Sequence, residues 1–225
     1  MHHDTAPLPF TYAPPPNTGL HVLHLDKYLV VVNKPYGLLS VPGRGGDKQD
    51  SLASRVQAEF ADALTVHRLD LETSGVIVMA RGAEMHRRLS ALFREREVDK
   101  RYIAVIAGQL AQPAGEVNLP LLVDWPNRPK QAVNFTDGKP SLTRYQQIAY
   151  DAASDTTRVA LEPVTGRTHQ LRVHMASLGH PILGDQLYAG EFRDAAPRLL
   201  LHAEYLAFPH PLTGVPVVCE SPAPF

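Results

Sequence analysis

Apolar residues in this chain gather into short runs separated by polar breaks rich in proline and glycine. Tyr28–Val32 (YLVVV) and Val76–Ala80 (VIVMA) are β-branched and continuously apolar, so each reads as a strand buried on both faces. Arg101–Ala107 (RYIAVIA) predicts another strand, and Arg158–Val164 alternates as a half-buried strand does. Leu199–Phe208 and Val215–Glu220 flank the turn Pro211–Gly214 and predict two late strands. Helical spacing marks Ala83–Glu97, where Met85, Leu89, Leu92 and Phe93 recur at intervals of three and four with arginines between them. A second helix is predicted over Thr168–Leu178, with Leu171, Met175 and Leu178 on one stripe and Gly179 at the stop. A short helix runs to Phe60 from a cap at Asp50 or Ser51. Strands outnumber helices and do not alternate strictly with them, which points to an α+β fold, a mixed sheet with helices packed on it.

The breaks set the organisation. Residues 1–19 hold five prolines and few large apolar side chains, so they predict an extended or disordered Pro-rich N-terminal arm. The compact body is expected from Leu20, with residues 20–225 forming one catalytic domain. Asn33–Gly37 places proline and glycine at turn positions, and Gly43, Gly45 and Gly46 mark a flexible loop.

Composition narrows the class. The chain has 225 residues, 44% of them apolar and 20% charged, which is ordinary for a globular protein large enough to need no covalent staple. The single cysteine, Cys219, excludes a disulfide framework and a cysteine-based zinc site. The longest apolar run is six residues, Tyr102–Ala107, too short to span a membrane. No secretory signal is visible, so the expected location is the cytoplasm. Net charge is −1, which gives no sign of a polyanionic partner, but charge is uneven. Arg87–Arg101 carries six basic and three acidic residues, whereas residues 185–225 carry two basic and five acidic ones. Eleven histidines raise the question of a metal, but their spacing gives no ligand set. His169 and His174, for example, fall on different faces of the predicted helix. No metal is expected.

The candidate chemistry lies at His67-Arg68-Leu69-Asp70, in a polar break ahead of the strand at Val76. Residues two apart in an extended segment point the same way, so Arg68 and Asp70 can share one side of a cleft. A carboxylate kept ionised by nearby cations can serve as nucleophile or base. A loop salt bridge capped by Thr73 or Ser74 fits the same spacing.

The longer segment His67–Gly75 (HRLDLETSG) resembles the signature of the RluA-type family of pseudouridine synthases. Asn33–Gly43 (NKPYGLLSVPG), Lys100-Arg101-Tyr102, Gly166–His174 (GRTHQLRVH), His180–Asp185 (HPILGD) and Leu200–Ala203 (LLHA) resemble further blocks of that family, in the same order. The likeness extends over roughly Leu20 to Pro222. The arm and Asp124–Gln131 (DWPNRPKQ) resemble the short branch that acts on both 23S rRNA and tRNA, and the chain leaves no room for the S4 domain of many relatives.

The resemblance implies a mainly antiparallel sheet and an enzyme that isomerises uridine to pseudouridine within RNA, without cofactor or metal. The implied targets are a tRNA anticodon-loop uridine and a 23S rRNA stem-loop uridine, bound by a monomer. It implies Asp70 as the catalytic carboxylate, acting on sugar or base as nucleophile or on a ribose proton as base. Arg172 is implied as the cation paired with it, and Tyr102 as the ring stacked on uracil. The target base must leave its stack, which costs least in loops, and Arg68 is the candidate for the vacated space, with an ion pair to Asp70 as the rival role. Lys34, Arg44, Lys100, Arg101, Arg128, Lys130 and Arg167 are candidates for RNA phosphates. His67, Leu69, Thr73, Ser74 and Gly75 are expected to support the site. Three rivals stand beside this reading. One is a single-target synthase. Another is a nucleoside hydrolase with Glu72 as its second acid. The last is a non-catalytic RNA-binding protein.

Overall fold

The computed structural model describes residues 11–225, so the first ten residues of the expected arm lie outside the described residues. Twelve strands and three α-helices follow in order among them. The strands are β1 (Val22–Leu25), β2 (Leu29–Lys34), β3 (Ala63–Thr65), β4 (Ser74–Arg81), β5 (Asp99–Ala107), β6 (Ala114–Asn118), β7 (Leu121–Val123), β8 (Gln131–Val133), β9 (Leu142–Asp151), β10 (Thr156–Pro163), β11 (Leu201–Pro209) and β12 (Pro216–Glu220). The helices are α1 (Leu52–Glu59), α2 (Ala83–Glu95) and α3 (Gln170–Ser177).

Ten strands form one sheet in the order β1-β2-β4-β11-β5-β10-β9-β6, with β12 beside β11 and β3 beside β4. Every pairing is antiparallel except β4 with β11, where His202 faces Ser74 and Ala203 faces Gly75. This one parallel seam joins the N-terminal half of the sheet to the C-terminal half. β7 and β8 form a separate hairpin.

The continuous apolar runs of β2 and β4 follow from being covered on both sides. Val31, Val76, Val78 and Ala80 pack with Met85 and Leu89 of α2. Val30, Val32, Ile77 and Met79 pack on the opposite face with Leu52, Ala53 and Val56 of α1. A third cluster places Leu171 and Met175 of α3 against Ala104, Ile106, Val159 and Leu161. Tyr102 touches both the second and third clusters and so stands where the two halves meet.

Several boundaries differ from the sequence expectation. Of the two caps expected for α1, Ser51 is the one used, in a reciprocal box with Ser54. Asp50 instead receives Arg55 Nε at 2.8 Å. α2 ends at Glu95 because Arg96 takes a left-handed conformation at φ 64°. α3 starts at Gln170 because His169 is left-handed at φ 54°. Leu178 follows α3 and is 39% exposed, off the buried stripe. The compact body also begins before Leu20. Tyr12 is buried, donates to Asp50 O at 2.9 Å and accepts from Leu39 N at 3.1 Å. Arg55 Nη2 donates to Pro15 O at 2.6 Å, so residues 12–16 lie against the body.

Candidate active site

The loop before β4 carries Asp70, and its backbone is held from three sides. Ser40 Oγ donates to Leu69 O at 2.6 Å and accepts from Leu69 N at 3.1 Å. Gly37 N donates to Leu71 O at 3.0 Å, and Thr73 N closes the turn onto Asp70 O at 3.1 Å. Lys34 supplies the third restraint. Its Nζ donates to Pro35 O, Leu38 O and Leu71 O at 3.0, 2.7 and 3.1 Å. Lys34 is fully buried, so the expectation that it meets RNA phosphate is corrected: all three ammonium donors are spent on carbonyls inside the protein. Burial pushes its pKa down to about 7 against the opposing pull of Asp70.

Leu69 faces the core and Asp70 faces a cleft of about 1210 Å³. Arg68, Lys100, Arg101, Tyr102, Arg167, His169 and Arg172 line the same cleft. Arg172 Nη1 lies 3.5 Å from Asp70 Oδ2. The rest of its guanidinium is clamped by Asp185, with Nε to Oδ2 at 2.7 Å and Nη2 to Oδ1 at 2.6 Å. Asp185 also accepts from Leu187 N and Tyr188 N at 2.9 and 3.1 Å. Glu72 approaches Arg172 Nη2 at 3.5 Å. Burial alone would lower the Arg172 pKa, but the Asp185 bonds and the surrounding carboxylates hold it well above the ordinary arginine value. Glu72 is raised by burial, a shift that Arg172 opposes and the neighbouring carboxylates reinforce. The geometry therefore gives a permanent, immobile cation with one arm free for Asp70. The Asp70 side chain is 26% exposed and Arg172 is 3% exposed. The carboxylate is open to the cleft, and its cation is nearly enclosed at the cleft wall.

His169 comes within 3.9 Å of Asp70 through Nε2. Tyr188 Oη accepts from Gln131 N at 2.8 Å and lies 2.7 Å from His169 Nδ1. The His169 tautomer sets which of the two donates in that contact, and Nε2 is the ring nitrogen that faces Asp70. Burial lowers the His169 pKa against the opposing pull of Asp70. Tyr102 lines the same cleft. Burial and the charge on Asp70 push its hydroxyl well above the usual tyrosine range, so it remains a neutral donor.

His67, Thr73, Ser74 and Gly75, expected to support the site, lie in and beside the Asp70 loop. His67 Nε2 accepts from Val78 N at 3.1 Å, and its ring stacks on Phe93 with centroids 4.5 Å apart. Thr73 and Ser74 are buried. Ser74 Oγ meets His202 Nδ1 at 2.8 Å and receives Arg198 Nη2 at 2.5 Å. Gly75 has φ 119°, and a Cβ there would lie 2.2 Å from Ala203 O. The parallel seam between β4 and β11 requires glycine at that point.

The remaining candidate cations are dispersed. Arg68 is exposed and has no hydrogen-bond or ion-pair partner among the described residues, so the rival role as an ion pair to Asp70 is not what the structure shows. Arg44 is exposed and lies outside the cleft lining. Arg101 pairs with Glu204 at 3.1 Å, and burial lowers the Lys100 pKa. Arg128 and Lys130 sit on the connection between β7 and β8, whose Pro129 borders the cleft. Sequence reasoning did not assign roles to Asp185, His169 or Tyr188. Asp185 ends the block HPILGD, and His169 lies within GRTHQLRVH, so their signal was present without a partner to explain it.

The sequence matches the family described as RNA pseudouridylate synthase over residues 28–177. The protein named dual-specificity RNA pseudouridine synthase RluA of Escherichia coli strain K12 is 52% identical over 215 residues, covering 95% of this chain and 98% of that protein. Its namesake in Pasteurella multocida is 50% identical over 204 residues, covering 90% and 93%. The solved structure of human RNA pseudouridylate synthase domain containing 1 superposes with a TM-score of 0.77 at 29% identity, over 95% of this chain and 87% of that one. Asp70, Tyr102 and Arg172 all lie in the matched span, and the chain belongs to the RNA pseudouridylate synthase family, isomerases that act on uridine in RNA.

Proposed function

We propose that the protein isomerises uridines in two RNA classes, a tRNA anticodon loop and an rRNA stem-loop, and that Asp70 is the catalytic carboxylate. Relatives about half identical over nearly their whole length are named dual-specificity enzymes. The observation that carries the catalytic assignment is the arrangement at the cleft floor: an accessible carboxylate held 3.5 Å from an arginine that is itself locked by a buried aspartate. In this reading the uridine swings out of its loop into the cleft, and Arg68 fills the space it leaves. Asp70 attacks the nucleoside or takes a ribose proton while the bond from C1′ to N1 breaks. The uracil turns within the pocket, C5 bonds to C1′, the C5 proton is lost and N1 gains one. No electrons enter or leave. Arg172 keeps Asp70 ionised and offsets charge on the departing base. Tyr102 stacks on uracil and offers a neutral hydroxyl for the proton transfer at the ring. Leu69, Thr73, Ser74 and Gly75 fix the loop. Arg44, Lys100, Arg101, Arg128, Lys130 and Arg167 meet phosphates around a single domain acting as a monomer.

Incubating the protein with the two stem-loops and digesting them to nucleosides tests this. Pseudouridine with no free uracil is expected from both. Free uracil would identify a hydrolase, with Glu72 as its second acid, and conversion of one RNA alone would identify a single-target synthase.

A further inference from the structure

Trp125 is 66% exposed, far more than its large ring normally is in a soluble protein. It lies on the connection between β7 and β8, and Arg128 Cζ sits 3.1 Å from its ring centroid. With one face of the indole occupied by the guanidinium, so high an exposure leaves the other face open. The connection is rigid. Asp124 N donates to Lys130 O at 3.0 Å, Asn127 N to Asp124 O at 3.1 Å, and Lys130 N to Asn127 O at 3.0 Å. It is also tied to the catalytic centre. Gln131 N donates to Tyr188 Oη, the hydroxyl that contacts His169, and Pro129 lines the cleft that holds Asp70. Arg128, Lys130 and Arg167 have no carboxylate partner among the described residues. An open aromatic face beside free cations, held rigidly at the rim of a nucleotide-sized cleft, has the chemistry of a single-stranded RNA platform. A duplex offers such a surface phosphates but no base faces.

We propose that Trp125, backed by Arg128, stacks on an unpaired base of the substrate loop next to the uridine held in the cleft. The inference rests on the isomerase reading and names what lets the enzyme recognise a loop. Trp125 is the one tryptophan in the chain, so its emission reports this contact alone. Labelled stem-loop is titrated into the full chain while RNA anisotropy and tryptophan emission are followed together, with a blunt duplex of matched composition in parallel. Quenching that saturates with the anisotropy for the stem-loop, and little quenching with the duplex, is expected. Trp125→Ala should weaken stem-loop binding about 5- to 150-fold, as loss of one base–aromatic stack does, and Trp125→Phe should restore most of it. Stem-loop binding with unchanged emission, or a Trp125→Ala affinity equal to wild type, overturns the proposal. Wild-type protein that neither binds nor converts the stem-loop overturns the isomerase reading and this proposal with it.

Discussion

At the scale of single residues, charge balance explains why the centre is built as it is. Asp70, Glu72 and Asp185 face Arg172, and the buried Lys34 lies within electrostatic reach of Asp70. Burying a guanidinium is costly unless its geometry is fully met, and Asp185 meets it in a bidentate pair. Arg172→Lys keeps the charge but cannot make that fork. Its single-turnover rate should fall by about 100-fold or more while RNA affinity changes a few-fold, because the fixed geometry and not the charge is lost. Equal loss of rate and affinity would instead make Arg172 an RNA contact. His67 gives a pH test. Burial drives its pKa from 6.5 to about 3. Between those values the unfolded chain binds the proton and the folded one does not, so stability rises with pH through that window and is lost on acidification. Chemical denaturation of His67→Asn should show lower stability than wild type at pH 7. That gap should narrow by about 1–2 kcal/mol at pH 5, where the wild-type ring is opposed by proton uptake on unfolding. A gap independent of pH would mean the ring is not held neutral.

At the scale of elements, the parallel seam of β4 and β11 is the constraint the sheet depends on. It carries Ser74 and Gly75 directly behind the loop of Asp70. Gly75→Ala would drive a methyl into Ala203 O in a backbone conformation that L side chains rarely adopt. Calorimetry should show a loss of roughly 3 kcal/mol or more, whereas removing the Ser51 cap by Ser51→Ala should cost about 1 kcal/mol. A mild effect at Gly75 would mean that the seam can open without loss. The central strands and all three helices were legible because β2 and β4 are covered on both faces, β5 buries Ala104 and Ile106 under α3, and α2 has an apolar stripe. β6 to β9 were not, because their faces are half exposed. Leu142–Asp151 reads LTRYQQIAYD, and Arg144, Gln146 and Ile148 point to solvent, so no period stands out. The loop of Asp70 was legible from its motif alone. The role of Lys34 was not, since a lysine in a polar turn gives no hint that its ammonium is enclosed by carbonyls. Nor does spacing reveal that Asp185 reaches back to Arg172 across a turn.

At the scale of the whole molecule, a net charge of −1 conceals a cleft rimmed by arginines. Arg68, Arg94, Arg96 and Arg167 line it, and Arg128 and Lys130 stand beside Pro129 at its edge. Such a rim should bind RNA mainly through counterion release. The slope of log affinity against log salt is expected to lie near −3 to −5 for about five phosphate contacts. Arg68→Glu combined with Arg167→Glu should reduce its magnitude by about 2. A flat salt profile would remove phosphate contact from the account. No helix among the described residues is long and apolar enough to cross a membrane. The two halves of the sheet meet under the cleft. Asp70 precedes β4 of one half, while Tyr102 on β5, Arg172 on α3 and Asp185 ahead of β11 come from the other. The centre therefore exists only when both halves are joined.

The most direct test is single-turnover conversion of a tRNA anticodon stem-loop by Asp70→Asn, with RNA affinity and melting temperature measured on the same preparation. Asparagine keeps the shape and removes the ionised oxygen, so no detectable pseudouridine is expected from a folded protein that still binds the RNA. Pseudouridine formed at close to the wild-type rate would show that the isomerisation does not run through this carboxylate.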